Sequence, residues 1–457
     1  MNEHREVNVM DNEVTPRINA NQAGRFYRPK DTANALVALF WLEFELSRAV
    51  FGWVPAVKEF ETKAQLGRFA YLHNQHAKYL YGRVSELPGP SLDKQDTPAV
   101  VRETFERISL APSEHAFFAG YLYVLQHVYA EYEKLQYRLD PILDVPTFDI
   151  LRVIMLDRPD SIKWTNEQIY FAGSDHQELF QQITEWRNYV QSVWQTYATA
   201  PLSEQVASLD WPIPPAYEAV GPVPSDSAWN VERFPIHVPD SKYKTTYEDP
   251  GMSPLHDSIK QMHFINATEM GAAESLCYLY YGVQHMPKQF FFDLARHLWD
   301  EIRHCHMGIR RLEQMGYTTS QFKYFKGSPG KGLTDLAAEW FPDMYAGLTM
   351  VAEPCSFIKK RKSAEQFWKF GDALSAIQCE FDMADERMHV DFGKIWGPEL
   401  YKQINDLITA AEMSERSRLR RIEQLGAAAT PEEAKKIAKN FPGFCGLSTV
   451  ELNYTSY

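Results

Sequence analysis

Two short stretches of this chain, DEIRHCHMG at 300–308 and DERMHVDFG at 385–393, carry the same pattern of charged residues. Each begins D-E-x-x-H and has a glycine four residues after the histidine. Residues three apart lie on one face of a helix, so Glu301 is beside His304 and Glu386 is beside His389. An acid and an imidazole on one face form half of the ligand set of a metal site in a helical-bundle core.

Two further glutamates repeat with nearly the same spacing. The interval from Glu269 to Glu301 is one residue shorter than the interval from Glu353 to Glu386. Between the two copies, His304 and His389 are as far apart in sequence as Glu301 and Glu386. The upstream glutamates of the two copies are one residue closer together. The sequence therefore predicts one centre with six ligands: Glu269, Glu301, His304, Glu353, Glu386 and His389.

Each copy has the length and punctuation of an antiparallel helical hairpin. Pro287 marks the turn of the first hairpin, at similar distances from Glu269 and Glu301. At a rise of about 1.5 Å per residue, the two glutamates then lie at similar heights along the hairpin. Gly371 marks the turn of the second hairpin in the same way. Pro354, directly after the glutamate of the third helix, predicts a kink there.

Four carboxylates and two imidazoles that face inward need compensation, because burying uncompensated charge strongly destabilises a fold. Two divalent cations would supply it. Carboxylate-rich ligands combined with imidazole favour iron or manganese over zinc. The alternative is that these residues are surface Glu and His at helical spacing. That alternative explains a single E-x-x-H motif, but two copies with matched upstream glutamates favour the metal site.

The segments that carry these residues resemble the ferritin-like superfamily. Within it they resemble an uncharacterised DUF455-type group that is distantly similar to the tRNA hydroxylase MiaE. The resemblance covers about residues 258–397 and rests on MHFINATEMGAAE, FFDLARHLWDEIRHCHMGIRRLEQMGY, MVAEPCSF, FGDALSAI and DMADERMHVDFGKIW. It implies a di-iron carboxylate bundle in which the six predicted ligands hold two iron ions, or a manganese–iron pair.

The N-terminal half resembles a decayed copy of the same bundle. His73 stands where a glutamate is expected, with His76 three residues later. Glu43 and Glu45 lie upstream, but the stretch DRPDS replaces D-E-x-x-H. We therefore expect a bundle without a full metal site. A single-metal site that uses His73 and His76 is the alternative.

The predicted fold class is all-α, with two tandem ferritin-like helical bundles, the N-terminal one degenerate, joined by a Pro-rich segment. Long apolar-periodic stretches with few internal Gly or Pro favour helices on both sides of that segment. The predicted boundaries are a flexible arm at 1–25, the degenerate bundle at 26–197, the Pro-rich crossing segment at 198–257, the di-metal bundle at 258–412, and a C-terminal helix and tail at 413–457.

Charge and cysteine usage limit the partners. The net charge of -13 argues against a broad nucleic-acid surface. A membrane helix needs about 20 apolar residues, and the chain has no such run. The five cysteines form no C-x-x-C pair and no secretory signal is evident, so a cytoplasmic location is expected. We expect a small-molecule substrate, and a homodimer is left open.

Three functions are compatible with the predicted centre. The preferred one is O2-dependent oxidation or hydroxylation of an organic substrate, with O2 as co-substrate. The second is a ferroxidase or peroxide-scavenging role, and the third is a metal-stabilised binding scaffold without turnover. A long chain with a second bundle and a Pro-rich segment is a poor subunit for a storage shell, which favours an enzyme.

Several residues near the motifs are candidates for supporting roles. Asp300 and Asp385 are expected to accept the N–H group of the histidine on the opposite helix and so orient its ring. The other candidates, each with an ordinary core or surface role as the alternative, are a ligand partner at His263, substitute ligands at Glu274 and Glu380, and pocket residues at Tyr278 and Tyr281.

Overall fold

The computed structural model describes residues 26–173, 177–236, 262–427, 430–432 and 435. The predicted arm at 1–25 lies outside these residues. So do 237–257 of the Pro-rich segment, the first residues of the predicted di-metal bundle, and the end of the C-terminal tail.

The predicted all-α fold class is confirmed for the part of the chain that the structure describes. Its β structure is limited to one isolated parallel bridge between Ile236 and Tyr324. Within the same residues, no helix combines the length and apolar character that a membrane span requires.

The chain divides into two compact units. The first takes its described residues from the ranges 1–49 and 72–220, and the second from 50–71 and 221–457. Residues 50–71, which the predicted boundaries place in the N-terminal bundle, therefore belong with the second unit.

The first unit is built from helices with aromatic-rich interfaces. Its large fully buried side chains include Trp41, Tyr121 and Trp186. Ser113 caps its central helix by accepting a hydrogen bond from the Ala116 amide at 3.3 Å. The helices that lie in this unit, wholly or in part, are α1 (Pro29–Trp53), α2 (Phe60–Glu86), α3 (Ala99–Ser109), α4 (Glu114–Arg138), α5 (Val145–Leu156), α6 (Arg158–Gly173) and α7 (Gln177–Thr199).

The second unit contains two helical hairpins that follow one another in the chain. A helical stretch at 262–267 leads into α8 (Met270–Gly282), which is followed by α9 (Lys288–Gln314). The second hairpin comprises α10 (Trp340–Gly347), a π-helical turn (Leu348–Ala352), α11 (Glu353–Lys369) and α12 (Ala373–Gln403). Helix α13 (Ala410–Ala427) packs against α10 and α12.

The turns of both hairpins lie where the sequence predicts them. Pro287 immediately precedes α9, and Gly371 separates α11 from α12 with a φ of 81°, a conformation that favours glycine. The Asp372 side chain then accepts from the Ser375 amide at 3.1 Å and caps α12. Close to Pro354 the helix contains a π-helical turn, Leu348–Ala352, which ends at the residue before Glu353. Proline is well tolerated there because it occupies the first turn of α11.

The glycine of each repeated motif allows another part of the unit to approach closely. A Cβ atom on Gly308 would lie under 3.0 Å from backbone atoms of His263 and Ala267, in the stretch that leads to Glu269. A Cβ atom on Gly393 would lie under 3.0 Å from side-chain atoms of Thr349, in the π-helical turn that leads to Glu353. Both glycines therefore bring a glutamate-bearing segment close to a histidine-bearing helix.

Candidate metal centre

The six residues predicted as metal ligands lie together in the interior of the second unit. Glu269 directly precedes α8 and Glu353 begins α11, while α9 and α12 each contribute one glutamate and one histidine. Their side chains are at most 4% exposed, except that of Glu269 at 12%. The structure thus brings the whole predicted set into one buried region.

The first half of the centre is a group of two carboxylates and two imidazoles. The donor atoms of His297, Glu301, Glu353 and His389 all lie within 4.8 Å of one another. Nε2 of His297 is 2.8 Å from Oε1 of Glu353 and 3.2 Å from Oε1 of Glu301. Nδ1 of His389 is 3.5 Å from Oε1 of Glu301 and 3.7 Å from Oε1 of Glu353.

The second half of the centre contains a lysine as well as ligand-type side chains. Nδ1 of His304 is 3.2 Å from Oε2 of Glu269 and 3.7 Å from Oδ1 of Asp382. The donor atoms of His304, Asp382 and Glu386 lie within 4.8 Å of one another. Nζ of Lys360, whose side chain is 1% exposed, donates to Asp382 at 2.6 Å and to Glu386 at 2.8 Å.

The two motif histidines are oriented by aspartates on the opposite helix, as the sequence predicts. Nε2 of His304 lies 3.2 Å from Oδ2 of Asp385, and Nε2 of His389 lies 3.2 Å from Oδ2 of Asp300. An ionised carboxylate only accepts hydrogen bonds, so each Nε2 carries a proton, and each Nδ1 faces inward, where it presents a lone pair when the ring is neutral. This is the arrangement in which an imidazole binds a metal.

Two arginines join these aspartates on the outer side of the centre. Arg296 donates to Asp300 at 2.7 Å and to Asp385 at 3.1 Å. Arg303 pairs with both aspartates, with a distance of 3.0 Å to Asp385. The two guanidinium groups thus neutralise the charge of the two aspartates, so no metal is needed to neutralise it.

With its imidazoles neutral and its carboxylates ionised, each half of the centre has a net charge that matches one divalent cation. In that state, Glu301 and Glu353 contribute two negative charges to the first half. In the second half, three carboxylates, Glu269, Asp382 and Glu386, are partly balanced by the Lys360 ammonium group, which again leaves two negative charges. Such charge is strongly unfavourable in a buried site unless cations neutralise it.

Many donor atoms of the centre have no hydrogen-bond partner in the described part of the chain, and they suit a metal. Buried polar atoms are normally paired, so a cluster of unpaired lone-pair atoms that face one another needs an explanation. Metal ions satisfy such atoms directly. The atoms of the centre without a well-aligned hydrogen bond are both ring nitrogens of His297, only one of which has a lone pair in a neutral ring, Oε1 of Glu301, Nδ1 of His304, both carboxylate oxygens of Glu353, Oε2 of Glu386 and Nδ1 of His389.

The pKa shifts show how strongly the protein groups interact. Burial raises the pKa of Glu301 to about 7, although the nearby His297 opposes this shift. Burial alone would lower the pKa of His297, but Glu353 and Glu301 raise it to about 10. Burial also opposes the charged form of Lys360, yet Asp382 and Glu386 hold its pKa well above the usual range. Protons therefore compete with a metal for the first half, and metal binding there would release them.

Sequence reasoning missed three side chains of the centre: His297, Asp382 and Lys360. His297 is four residues before Glu301 and Asp382 is four residues before Glu386, one helical turn away. The repeat itself could have predicted them, because each Glu-x-x-His motif is preceded by a polar residue four positions before its glutamate. No comparable repeat signal exists for Lys360.

The other supporting residues proposed from the sequence lie elsewhere. His263 contacts Ser375 at 2.8 Å and Gln378 at 3.0 Å, away from the carboxylates. Glu274 accepts from Lys63 at 2.7 Å and also from Trp229 and the Gly327 amide, and Glu380 accepts from Trp368 at the surface. Tyr278 donates to a backbone carbonyl at 2.6 Å. Neither Tyr278 nor Tyr281 lines the two cavities described below.

The first unit contains a related but differently bonded cluster. Nδ1 of His73 is 2.6 Å from Glu43 and its Nε2 is 2.7 Å from the Tyr121 hydroxyl, so both ring nitrogens are engaged. Nε2 of His76 is 3.0 Å from Asp157, and its Nδ1 is 3.4 Å from Glu43. The donor atoms of Glu43, His73 and His76 are close enough to hold a metal. The prediction that this half lacks a full metal site remains a prediction.

Two cavities of the second unit lead to the candidate centre. The inner cavity, of 380 Å³, is lined by four of its carboxylates: Glu269, Glu301, Glu353 and Glu386. The outer cavity, of 640 Å³, lies along α10 and α13. The two share part of their lining, which consists of Ala272, Ser275, Leu348, Ala352 and Arg421. The inner cavity therefore borders the carboxylates of the centre.

Fold and site together define an all-helical protein with a buried carboxylate–histidine centre. Residues 235–415 match the family model described as a protein of unknown function, DUF455. The match includes all six predicted ligands together with His297, Lys360 and Asp382, and the family description assigns no activity. No curated protein and no solved structure matches the chain.

Proposed function

We propose that the second unit is a ferritin-like bundle that binds two iron ions, or a manganese–iron pair, and catalyses O2-dependent oxidation or hydroxylation of a small organic substrate. The observation that carries the proposal is the set of buried nitrogen and oxygen lone pairs that face one another without partners, on histidines held in the metal-binding orientation. The remaining net charge of each half supports one divalent cation per half.

The residues divide into two ligand sets. Glu301, Glu353, His389 and His297 would hold one ion, and Glu269, His304 and Glu386 would hold the other. Both oxygens of Asp382 already accept hydrogen bonds, from Lys360 and from Asn266 at 2.6 Å. Asp382 therefore suits a positioning role better than that of a ligand. When bound, a pair of reduced iron ions supplies electrons for the reaction with O2.

The protein's own groups set the conditions for this chemistry. Asp300 and Asp385 hold the histidine rings so that Nδ1 faces the centre. Lys360 lowers the negative charge of the second half. The inner cavity gives a substrate access to the same carboxylates. The likeness to a tRNA hydroxylase supplies no substrate, because a chain with a net charge of -13 is a poor polyanion binder.

Lys360 supports a second candidate, a one-metal protein. Its ammonium group lies within 2.8 Å of two carboxylates and can replace a cation in the second half. A single ion in the first half would then stabilise the bundle without the two-electron chemistry of a metal pair. A ferroxidase or peroxide-scavenging role is a further alternative for the two-metal form.

Elemental analysis of protein produced in iron-replete medium tests the proposal. We expect about two iron or manganese ions per chain. The double variant Glu301→Ala and Glu386→Ala should bind none, because each half loses a carboxylate, whereas the exposed α12 variant Glu399→Ala should match the parent. Stoichiometric zinc without iron or manganese, or well under one metal per chain, would reject a redox metal centre.

Stopped-flow absorbance with O2 then separates the three activities. An oxidase should be reoxidised repeatedly when its substrate and a reductant are present. A ferroxidase should consume O2 in proportion to added ferrous iron and release ferric product. A metal centre that reacts in neither way would support the scaffold.

A further inference from the structure

Helix α5 of the first unit has an apolar face that the described part of the chain leaves exposed. Its inner side, with Leu151 and Ile154 buried, packs against α4 and α6. On its outer side Val145 is 42% exposed, Val153 48% and Leu156 76%. Single apolar side chains on a surface are ordinary, but three on one side of a short helix form a patch that suits a partner.

The turn before α5 extends this patch. Ile142 is 82% exposed and Leu143 is 84% exposed, and their amide groups both donate to Oδ1 of Asp140 at 2.9 Å. These hydrogen bonds fix the turn, so the two apolar side chains are held at the surface. An apolar surface that is already ordered loses little conformational freedom when a partner covers it.

The exposed face of α5 has the same spacing when it is read in either direction. The stripe at its centre consists of Val145, Asp149, Arg152 and Leu156, which are four, three and four residues apart and so share one side of the helix. Val145 and Leu156 are equally far from the midpoint of α5, and so are Asp149 and Arg152. In an antiparallel pair of such helices, a two-fold axis at this midpoint brings the members of each pair to the same height.

Charge makes this face complementary to itself only in the antiparallel arrangement. The side chains of Asp149 and Arg152 are 62% and 70% exposed, and their charged atoms are 3.6 Å apart within the helix. In the antiparallel pair, Asp149 of each copy faces Arg152 of the other copy. A parallel pair would place equal charges opposite one another, which is unfavourable. The charges therefore select one orientation, in which Val145 packs against Leu156.

We infer that α5 is the contact surface of a two-fold symmetric homodimer, in which the α5 helices of two chains pack antiparallel. Phe148, which is partly buried, and Val153 lie on the two sides of the stripe, so the two copies of each would flank the ion pairs at the centre. One 12-residue helix with its preceding turn is a small contact, at the lower end of specific interfaces. The dimer is therefore expected to form at micromolar rather than nanomolar concentration.

Sedimentation velocity of the full-length protein tests this inference. Over a range of about 1–200 μM the parent should shift from monomer to dimer. Asp149→Arg gives the face two cations and Arg152→Asp gives it two acids, so each variant alone should stay monomeric. An equimolar mixture of the two variants should dimerise again, because opposite charges then face one another. Misfolded variants could not restore the dimer in this way, so the mixture separates a lost contact from a damaged protein.

Glu399→Arg is the matched control, because Glu399 forms an exposed ion pair with Lys402, three residues later on α12. It should dimerise like the parent. A parent that stays monomeric throughout the range, a dimer that persists in both single variants, or a mixture that stays monomeric would overturn the inference. The first outcome would assign the face to a different partner, and the second would place the dimer contact elsewhere.

Discussion

Nε2 of His389 lies 3.2 Å from Oδ2 of Asp300, and this contact joins the two helices that carry the repeated motif. The reciprocal contact, from His304 to Asp385, has the same length. Each copy of the motif therefore supplies the aspartate that orients the histidine of the other copy. This reciprocity explains why Asp precedes Glu in both copies and why the chain needs the motif twice.

Asp300→Asn should weaken metal binding by about 10–100-fold, because an amide no longer fixes the protonated Nε2 of His389 as a carboxylate does. The helices should remain, since Arg296 and Arg303 keep Asp385 as a partner. A competition titration against a metal-binding dye measures the loss. Asp391→Asn, an exposed change on α12, is the control. Unchanged affinity in Asp300→Asn would exclude an orienting role.

Lys360→Met distinguishes the two-metal from the one-metal form. If two ions bind, the metal count should stay at two, with tighter binding in the second half because its carboxylates no longer share their charge with an ammonium group. If Lys360 replaces an ion, the count should rise from one to two. Elemental analysis gives the count, and Lys362→Met, at an exposed position of the same helix, is the control.

Chelation should loosen the second unit selectively. Without metal, the crowded carboxylates of the centre repel one another, so amide exchange should increase strongly in 262–315 and 340–395. Exchange in 72–135, within the first unit, should change little. Equal loosening of both regions would indicate a metal in the first unit or one cooperative fold. His73→Ala with His76→Ala resolves these outcomes, because it lowers the metal count only in the first case.

Gly308→Ala should destabilise the second unit by about 1–3 kcal/mol, since the new methyl group meets backbone atoms that cannot rotate away. Metal affinity should fall as well, because the segment before Glu269 is displaced. Gly347→Ala is the control: its backbone is helical and a Cβ atom there meets nothing within 4 Å. That change should be neutral or stabilise by about 0.4–1 kcal/mol. Chemical unfolding followed by far-UV circular dichroism compares the variants, and equal effects would contradict the close-approach role.

The first unit should lose stability as pH rises from about 6.5 to 9. Burial lowers the pKa of His76, but Glu43 and Asp157 outweigh it and raise the pKa to about 9 from a usual 6.5. Protonated His76 therefore contributes its full stabilisation of the first unit below about pH 6.5. This contribution, roughly 3 kcal/mol at most, is lost as His76 deprotonates towards pH 9. This loss of stability is measured by native-state amide exchange of α4, compared at each pH between the parent and His76→Gln.

In that comparison the difference between parent and variant should shrink as pH rises. A metal bound by Glu43, His73 and His76 would reverse the trend, because metal ligation requires a deprotonated imidazole and strengthens with pH. A difference that grows with pH would therefore contradict the metal-free interpretation of the first unit.

The sequence by itself determined the elements and the motif. Helical periodicity, Pro287 and Gly371 are local signals, because they act through backbone geometry within a few residues. Glu301 with His304 and Glu386 with His389 were predictable as pairs, since a three-residue spacing on a helix leaves little freedom in relative orientation. The matched intervals between the two copies then pointed to one shared centre.

Tertiary structure decided which other side chains face that centre. His297 and Lys360 lie there while His263 and Glu274 do not, although all four sit on or beside the relevant helices. Periodicity assigns a residue to a helix face, but only packing decides which partner that face meets. The assignment of 50–71 to the second unit and the cavity at Arg421 depend on contacts between segments far apart in the chain, which no local pattern encodes.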